Sequence, residues 1–265
     1  MNKKQLCLKL FVLIFFFSIS KSIQSQNLKL SSPNKLIEIK IQTLNQLKFQ
    51  VSLKNKVIIE NVAVGIEMSD GRSIGPKSRV RNIKRETFNQ IVNVPIPNKD
   101  RKIETTYNQI TISLTSNFDV IFRAYNDGVA YRIYDKRSKP KNVIYEKMTL
   151  DFPEKASTYF PWEESMYSHN ERLYNHTDIS KLKDADFCSL PVLIETNNGK
   201  VLFTESSLYN YPGMFLEKKQ NSNLVSKFPN YVLKAVPAGS YDKEKGEGSD
   251  RTQDIVEEAN FIAKL

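Results

Sequence analysis

The sequence predicts an all-β protein, a large antiparallel β-sandwich, and three observations carry that expectation. Apolar and polar residues alternate with period two in several short runs. Turn-forming Gly and Asn residues separate those runs. From about residue 28 to about residue 236 no strand–helix–strand rhythm interrupts the pattern, which argues against a parallel sheet.

The strands can be read one by one. "LIEIKI" sets Ile37, Ile39 and Ile41 against Glu38 and Lys40, and "FQVSLK" sets Phe49, Val51 and Leu53 against Gln50, Ser52 and Lys54. "QITISLT" opposes Ile110, Ile112 and Leu114 to Thr111, Ser113 and Thr115. Such strands bury one face and wet the other, as antiparallel sheets allow. "SDG" at 69–71, "NDG" at 126–128 and "NNG" at 197–199 supply turns in which Gly or Asn can take positive φ. Around the second of these, "VIFRAYNDGVAYRIY" reads as a hairpin. Val120, Phe122 and Ala124 face inward with Val129, Tyr131 and Ile133, while Arg123 and Arg132 share the opposite face.

Two stretches depart from the pattern. Residues 153–190 are irregular, aromatic and polar, and a loop system that long in a compact domain is usually functional. Residues 238–254, "AGSYDKEKGEGSDRTQD", are charged and linker-like, and in "IVEEANFIAKL" the spacing of Ile255, Ala259 and Ile262 predicts a helix. The expected organisation is therefore a leader at 1–25, a sandwich at 26–237, and a linker with a helix at 238–265.

The leader has the anatomy of an export signal: the basic start "MNKKQ", the apolar run "LCLKLFVLIFFFSIS", and small residues suited to cleavage after Ser25. A membrane anchor would need roughly 20 apolar residues. The expectation is an exported, periplasmic or extracellular protein with no membrane span after cleavage. Lys3, Lys4, Lys9 and Lys21 hold four of the ten net positive charges, and residues 1–25 carry no acid, so the mature chain keeps +6. Its Lys and Arg are scattered, whereas a nucleic-acid surface gathers them on one face, so no nucleic-acid partner is expected. Cys7 leaves with the signal. Cys188, in the apolar "FCSLPVL", then reads as a small buried hydrophobe, and no disulfide can staple the fold.

The irregular stretch gathers the titratable side chains. "YSHNERLYNHTD" contains His169 and His176, seven residues apart, a spacing that fits no zinc motif. No nucleophile elbow and no glycine-rich phosphate loop accompanies them; the chain has nine glycines in all. Glu163, Glu164 and Glu171 lie among Tyr159, Phe160, Trp162, Tyr167 and Tyr174. Aromatic rings stack on the apolar faces of sugars while carboxylates take the hydroxyls, and acidic oxygens also suit a hard cation such as Ca²⁺. The same composition is compatible with a surface loop whose aromatics pack on the sandwich. Hydrolysis of a glycosidic bond needs two carboxylates at defined separation, which linear spacing does not show.

"SPNKLIEIKIQ", "FRAYNDGVAYRIY", "YFPWEESMYSHNERLY" and "FTESSLYNYPGMFL" follow one another in the order found in one family. From about residue 28 onward the chain resembles the N-terminal domain of glycoside hydrolase family 97, exported α-glucosidases and α-galactosidases. The resemblance implies a galactose-mutarotase-like β-sandwich packed over the C-terminal face of a (β/α)₈ barrel, which carries the catalytic carboxylates. It implies no catalytic residue in this chain. It also implies a Ca²⁺ ion shared with the barrel, with Glu171 as the sandwich's ligand. Trp162, Glu164, His169, Asn170 and Glu205 are the implied contacts to an α-linked oligosaccharide or supports of its pocket. Two expectations stay open: a non-catalytic portion of a Ca²⁺-dependent α-glycosidase, truncated or split from its barrel, and a stand-alone carbohydrate-binding or interaction domain.

Overall fold

The computed structural model describes residues 27–76, 78–96, 99–153, 155–168, 170–219, 223–237 and 253–264. The leader at 1–25, residues 238–252 of the charged stretch, and His169 lie outside the described residues. In chain order the strands are β1 (Asn27–Ser31), β2 (Ile37–Gln42), β3 (Leu47–Leu53), β4 (Lys56–Met68), β5 (Ser73–Ile74), β6 (Val80–Asn93) and β7 (Lys102–Leu114). There follow β8 (Phe118–Tyr125), β9 (Val129–Asp135), β10 (Asn142–Asp151), β11 (Ser157–Phe160), β12 (Asn175–Asp178), β13 (Phe187–Cys188) and β14 (Val192–Thr196). The last are β15 (Gly199–Phe203), β16 (Phe215–Lys219), β17 (Asn223–Lys227), β18 (Val232–Pro237), β19 (Gln253–Glu258) and β20 (Ala263–Lys264). One 3₁₀ turn, Ile179–Lys181, follows β12.

The largest sheet runs β1-β2-β3-β4-β10-β17-β16-β13, with β5 added to β4 and β20 to β10. A second sheet, β6-β7-β8-β9, lies across it, and a third, β12-β11-β14-β15, carries much of the irregular stretch. Every described pairing in these sheets is antiparallel. The period-two pattern explains the core. Ile37, Ile39 and Ile41 of β2 and Phe49 and Val51 of β3 point into one buried cluster. Ile110, Ile112 and Leu114 of β7 and Val120, Phe122 and Ala124 of β8 meet them from the second sheet. Phe49 and Phe122 touch edge-to-face across the sandwich, with centroids 5.2 Å apart and planes at 76°.

The β8–β9 hairpin has the register expected of it: Val120 lies opposite Ile133, Phe122 opposite Tyr131 and Ala124 opposite Val129. The "SDG" turn uses Gly71 at φ +79°, whereas none of the three residues of "NDG" takes a positive φ.

Two expectations need correction. Residues 255–265 form no helix in their described part. β19 pairs with β18, setting Ile255 opposite Ala235, and β20 pairs with β10. The adjacent β-branched Ile255 and Val256 suit a strand, and β18 pairs with it from Val232 to Pro237 with irregular steps on either side of Lys234. Farther on, Phe261, Ile262 and Ala263 are buried consecutively, which a helix with a single apolar stripe cannot achieve. The second correction concerns 153–190. Strands β11 and β12 pair within it, so the irregular part narrows to the loop between them, residues 161–174.

Candidate functional site

The loop begins on a core strand and ends on an exposed one. Phe160 is fully buried at the end of β11, and Trp162 packs edge-to-face on it at 4.8 Å while bridging to Cys188. Trp162 is thus half-buried against the core, and its ring is engaged with Phe160. Next, Glu163 turns inward. Its backbone N–H donates to the Phe187 carbonyl at 2.9 Å, and its side chain is wholly out of solvent.

A buried carboxylate needs a counter-charge, and the far end of the loop supplies it. Arg172 Nε lies 2.9 Å from Glu163 Oε2. The same guanidinium donates to Ser168 Oγ at 2.9 Å, and Ser168 Oγ donates back to the Ser165 carbonyl at 3.2 Å. Tyr174 Oη donates to the Pro191 carbonyl at 3.1 Å. The ion pair ties residue 163 to residue 172, so the residues between them are held at both ends. That intervening segment presents Glu164, Asn170 and Glu171 to solvent. The segment also meets the C-terminal strands: Tyr167 Oη donates to Glu258 of β19, whose other oxygen accepts from Asn230 Nδ2 at 3.1 Å. Beside this contact lies a cleft of about 420 Å³ whose lining includes Tyr167, Asn210, Tyr211, Asn230, Tyr231 and Lys264.

The structure separates the described histidine from this group. His176 stands on β12, paired opposite Tyr159, and its Nε2 lies 3.1 Å from Ser157 Oγ and 3.2 Å from Glu195 Oε2. Serine and carboxylate converge on the same ring nitrogen. A proton relay requires them on opposite nitrogens, so this trio is not a nucleophilic triad.

Glu205 follows β15 and is half-buried. Its Oε1 accepts the Met214 N–H at 2.8 Å, which closes the 205–214 loop. Burial raises its carboxyl above the usual range, only partly offset by that hydrogen bond. Glu146 of β10 is its electrostatic neighbour: burial raises Glu146 too, the Tyr211 hydroxyl that donates to it lowers it, and the charge of Glu205 raises it again. Sequence reasoning missed Glu146. The signal available was an acid in the alternating run "VIYEKMTLD", but a register shift between Val143 and Tyr145 decides which face it takes.

Among the described residues, no three His, Cys, Asp or Glu side chains gather closely enough to hold a metal ion. The exposed donors of the loop, two carboxylates and an amide, are hard oxygen ligands of the kind Ca²⁺ takes, and too few for its six to eight positions.

The family model described as Glycosyl-hydrolase 97 N-terminal matches residues 30–246. The chain belongs to this family. A retaining alpha-galactosidase of Bacteroides thetaiotaomicron is similar to it, 25% identical over 269 residues that cover 97% of this chain. The chain spans 39% of that relative's length. Among solved structures, a glycoside hydrolase family 97 enzyme of Pseudoalteromonas sp. strain K8 in complex with acarbose superposes with a TM-score of 0.65 at 18% identity, covering 76% of this chain and 31% of that one. A beta-arabinopyranosidase gives a TM-score of 0.65 at 19% identity, over 77% of this chain and 36% of the other. At these identities the structural likeness establishes the fold. This glycosyl-hydrolase 97 N-terminal domain is therefore an all-β sandwich from a glycosidase family.

Proposed function

We propose that this family 97 domain is the non-catalytic, pocket-shaping part of a Ca²⁺-dependent α-glycosidase acting on α-glucosides or α-galactosides, exported to the periplasm or cell surface. Family membership over residues 30–246 is the observation that carries the reading. The clamped loop supports it. A domain that completes another domain's pocket must project donors outward from a rigid base, because a loosely held ligand gives up binding energy to ordering. In this reading Glu171 donates a carboxylate to the cation, and Glu164 and Asn170 meet sugar hydroxyls. His169 lines or holds the same loop. Glu205, tied to the Met214 N–H, supports the pocket or the domain interface, and Trp162 contributes by fixing the start of the loop rather than by stacking. The catalytic carboxylates belong to a (β/α)₈ barrel partner, and the domain takes neither nucleic acid nor membrane as partner.

The alternative, a stand-alone carbohydrate-binding domain, draws on the aromatic cleft beside Tyr167. One experiment tests the role of the loop. Isothermal titration of melibiose and maltose, with and without Ca²⁺, is compared between the mature chain and Glu171→Ala. The reading expects Ca²⁺-linked sugar binding to weaken in the variant while the circular dichroism spectrum is unchanged. Identical titrations for both proteins would remove Glu171 from the site.

A further inference from the structure

The second sheet carries an arm that nothing described above explains. Strands β6 and β7 stay paired out to Asn93 opposite Lys102, whereas β8 accompanies β7 only as far as Tyr107 opposite Tyr125. Beyond Tyr107 the sheet is therefore a two-stranded ribbon. Such a ribbon is marginally stable by itself in water, and this one exposes apolar residues on both faces. Ile91 is 60% exposed on one face, Val92 (42%) and Ile103 (49%) on the other, and Ile96 at the tip is 85% exposed. The base of the ribbon is fastened: Phe88 stacks on Tyr107 at 4.9 Å, and Arg85 donates to the Lys29 carbonyl at 2.7 Å.

The outer side of the arm is an edge. Strand β6 ends its sheet and, among the described residues, pairs only with β7. Natural edges are usually blunted by charge, proline or brevity. Here β6 is 14 residues long, and "FNQIVNV" at 88–94 carries no charge in a chain of net charge +10. Charges of both signs bracket it: Lys84, Arg85 and Glu86 on one side, Asp100, Arg101 and Lys102 on the other. An uncharged, β-prone edge segment is a template for strand addition.

We propose that this arm is a homodimer interface in which β6 of one copy pairs antiparallel with β6 of a second copy about a twofold axis through Ile91. The occupant follows from self-complementarity. In that register Ile91 faces its own copy, Asn89 faces Asn93, Gln90 faces Val92 and Phe88 faces Val94. No two like charges oppose each other, so a basic chain meets itself without repulsion along the paired segment. Shifting the axis toward the base, to Arg85, would set Arg85 against Arg85. The pairing converts two ribbons into one four-stranded sheet, with Ile91 against its own copy and Val92 diagonal to its own copy beside Gln90.

Sedimentation equilibrium of the mature chain tests the proposal, with Ile91→Lys as the disrupting variant and Leu202→Lys, on the third sheet, as the control. Ile91 lies outside the core cluster, so its variant should keep the wild-type spectrum and melting temperature. The expected result is a concentration-dependent dimer that is lost in Ile91→Lys and kept in Leu202→Lys. The register is read separately by mild oxidation: Ile91→Cys should cross-link two copies and Asn89→Cys should not, with Cys188 buried and unreactive. A chain that stays monomeric at every concentration, or a dimer that survives Ile91→Lys, would overturn the proposal.

Discussion

Glu163 and Arg172 show how one pair of side chains can decide the shape of a loop. The carboxylate is out of solvent, and its Oε1 finds no hydrogen-bond partner among the described residues. Its charge therefore rests on Arg172, 2.9 Å away and itself partly exposed. Removing one partner of a buried pair leaves an uncompensated charge, which costs about 3 kcal/mol. Arg172→Met should lower the urea midpoint accordingly with the slope unchanged, and adding Glu163→Gln should recover part of the loss. A loss below about 1 kcal/mol would mean that the loop is anchored elsewhere. The sequence made the acids of this loop visible but not their division of labour. Glu163 and Glu164 are adjacent and chemically identical, yet one turns inward and the other outward, because only Glu163 follows directly on the Trp162 bridge to Cys188. The resemblance places Trp162 among the sugar contacts or pocket supports; in the fold its ring packs edge-to-face on Phe160.

Elements whose faces alternate cleanly were the ones most readable in advance. The β8–β9 hairpin was legible to its register because each strand buries one face, and a slip by one residue would expose Phe122 and Val120 together. The C-terminal strands were not legible, because Ile255, Ala259 and Ile262 satisfy helical spacing and only the presence of β18 and β10 resolves them as strands. Between elements, Arg72 acts as a fastener. It reaches from the turn before β5 to Asp135 at the end of β9, with two hydrogen bonds of 2.7 Å, and to Asp70 at 2.8 Å, with its guanidinium 5.0 Å from the Phe118 ring. Burial raises both aspartates, but the hydrogen bonds and charge of Arg72 outweigh it and hold both below the ordinary value of 3.8. A depressed native pKa means that the unfolded chain binds more protons in that window, so this stabilisation is present above 3.8 and is lost as pH falls through the native values. Arg72→Met should therefore cost about 2 kcal/mol near neutrality, and the cost should shrink as denaturation is measured at progressively lower pH. A cost independent of pH down to about 2 would contradict the ionic account.

At the scale of the molecule, a sandwich with a self-contained core carries a pinned acidic loop whose described donors are too few to fill a cation site. The sandwich was legible, its C-terminal strands excepted, because period-two patterning needs only local sequence. The loop was legible only in part, because the ion pair that sorts its inward from its outward acids joins Glu163 to Arg172 across an irregular segment with no periodicity to read. The account's central claim, that this domain shapes a pocket without catalysing, is tested most directly by hydrolysis of nitrophenyl α-galactoside and nitrophenyl α-glucoside with the purified mature chain, with and without Ca²⁺. The account predicts no release of nitrophenol above background in either condition. Saturable turnover that tracks the protein through purification would contradict it and would require an acid–base pair within these 265 residues.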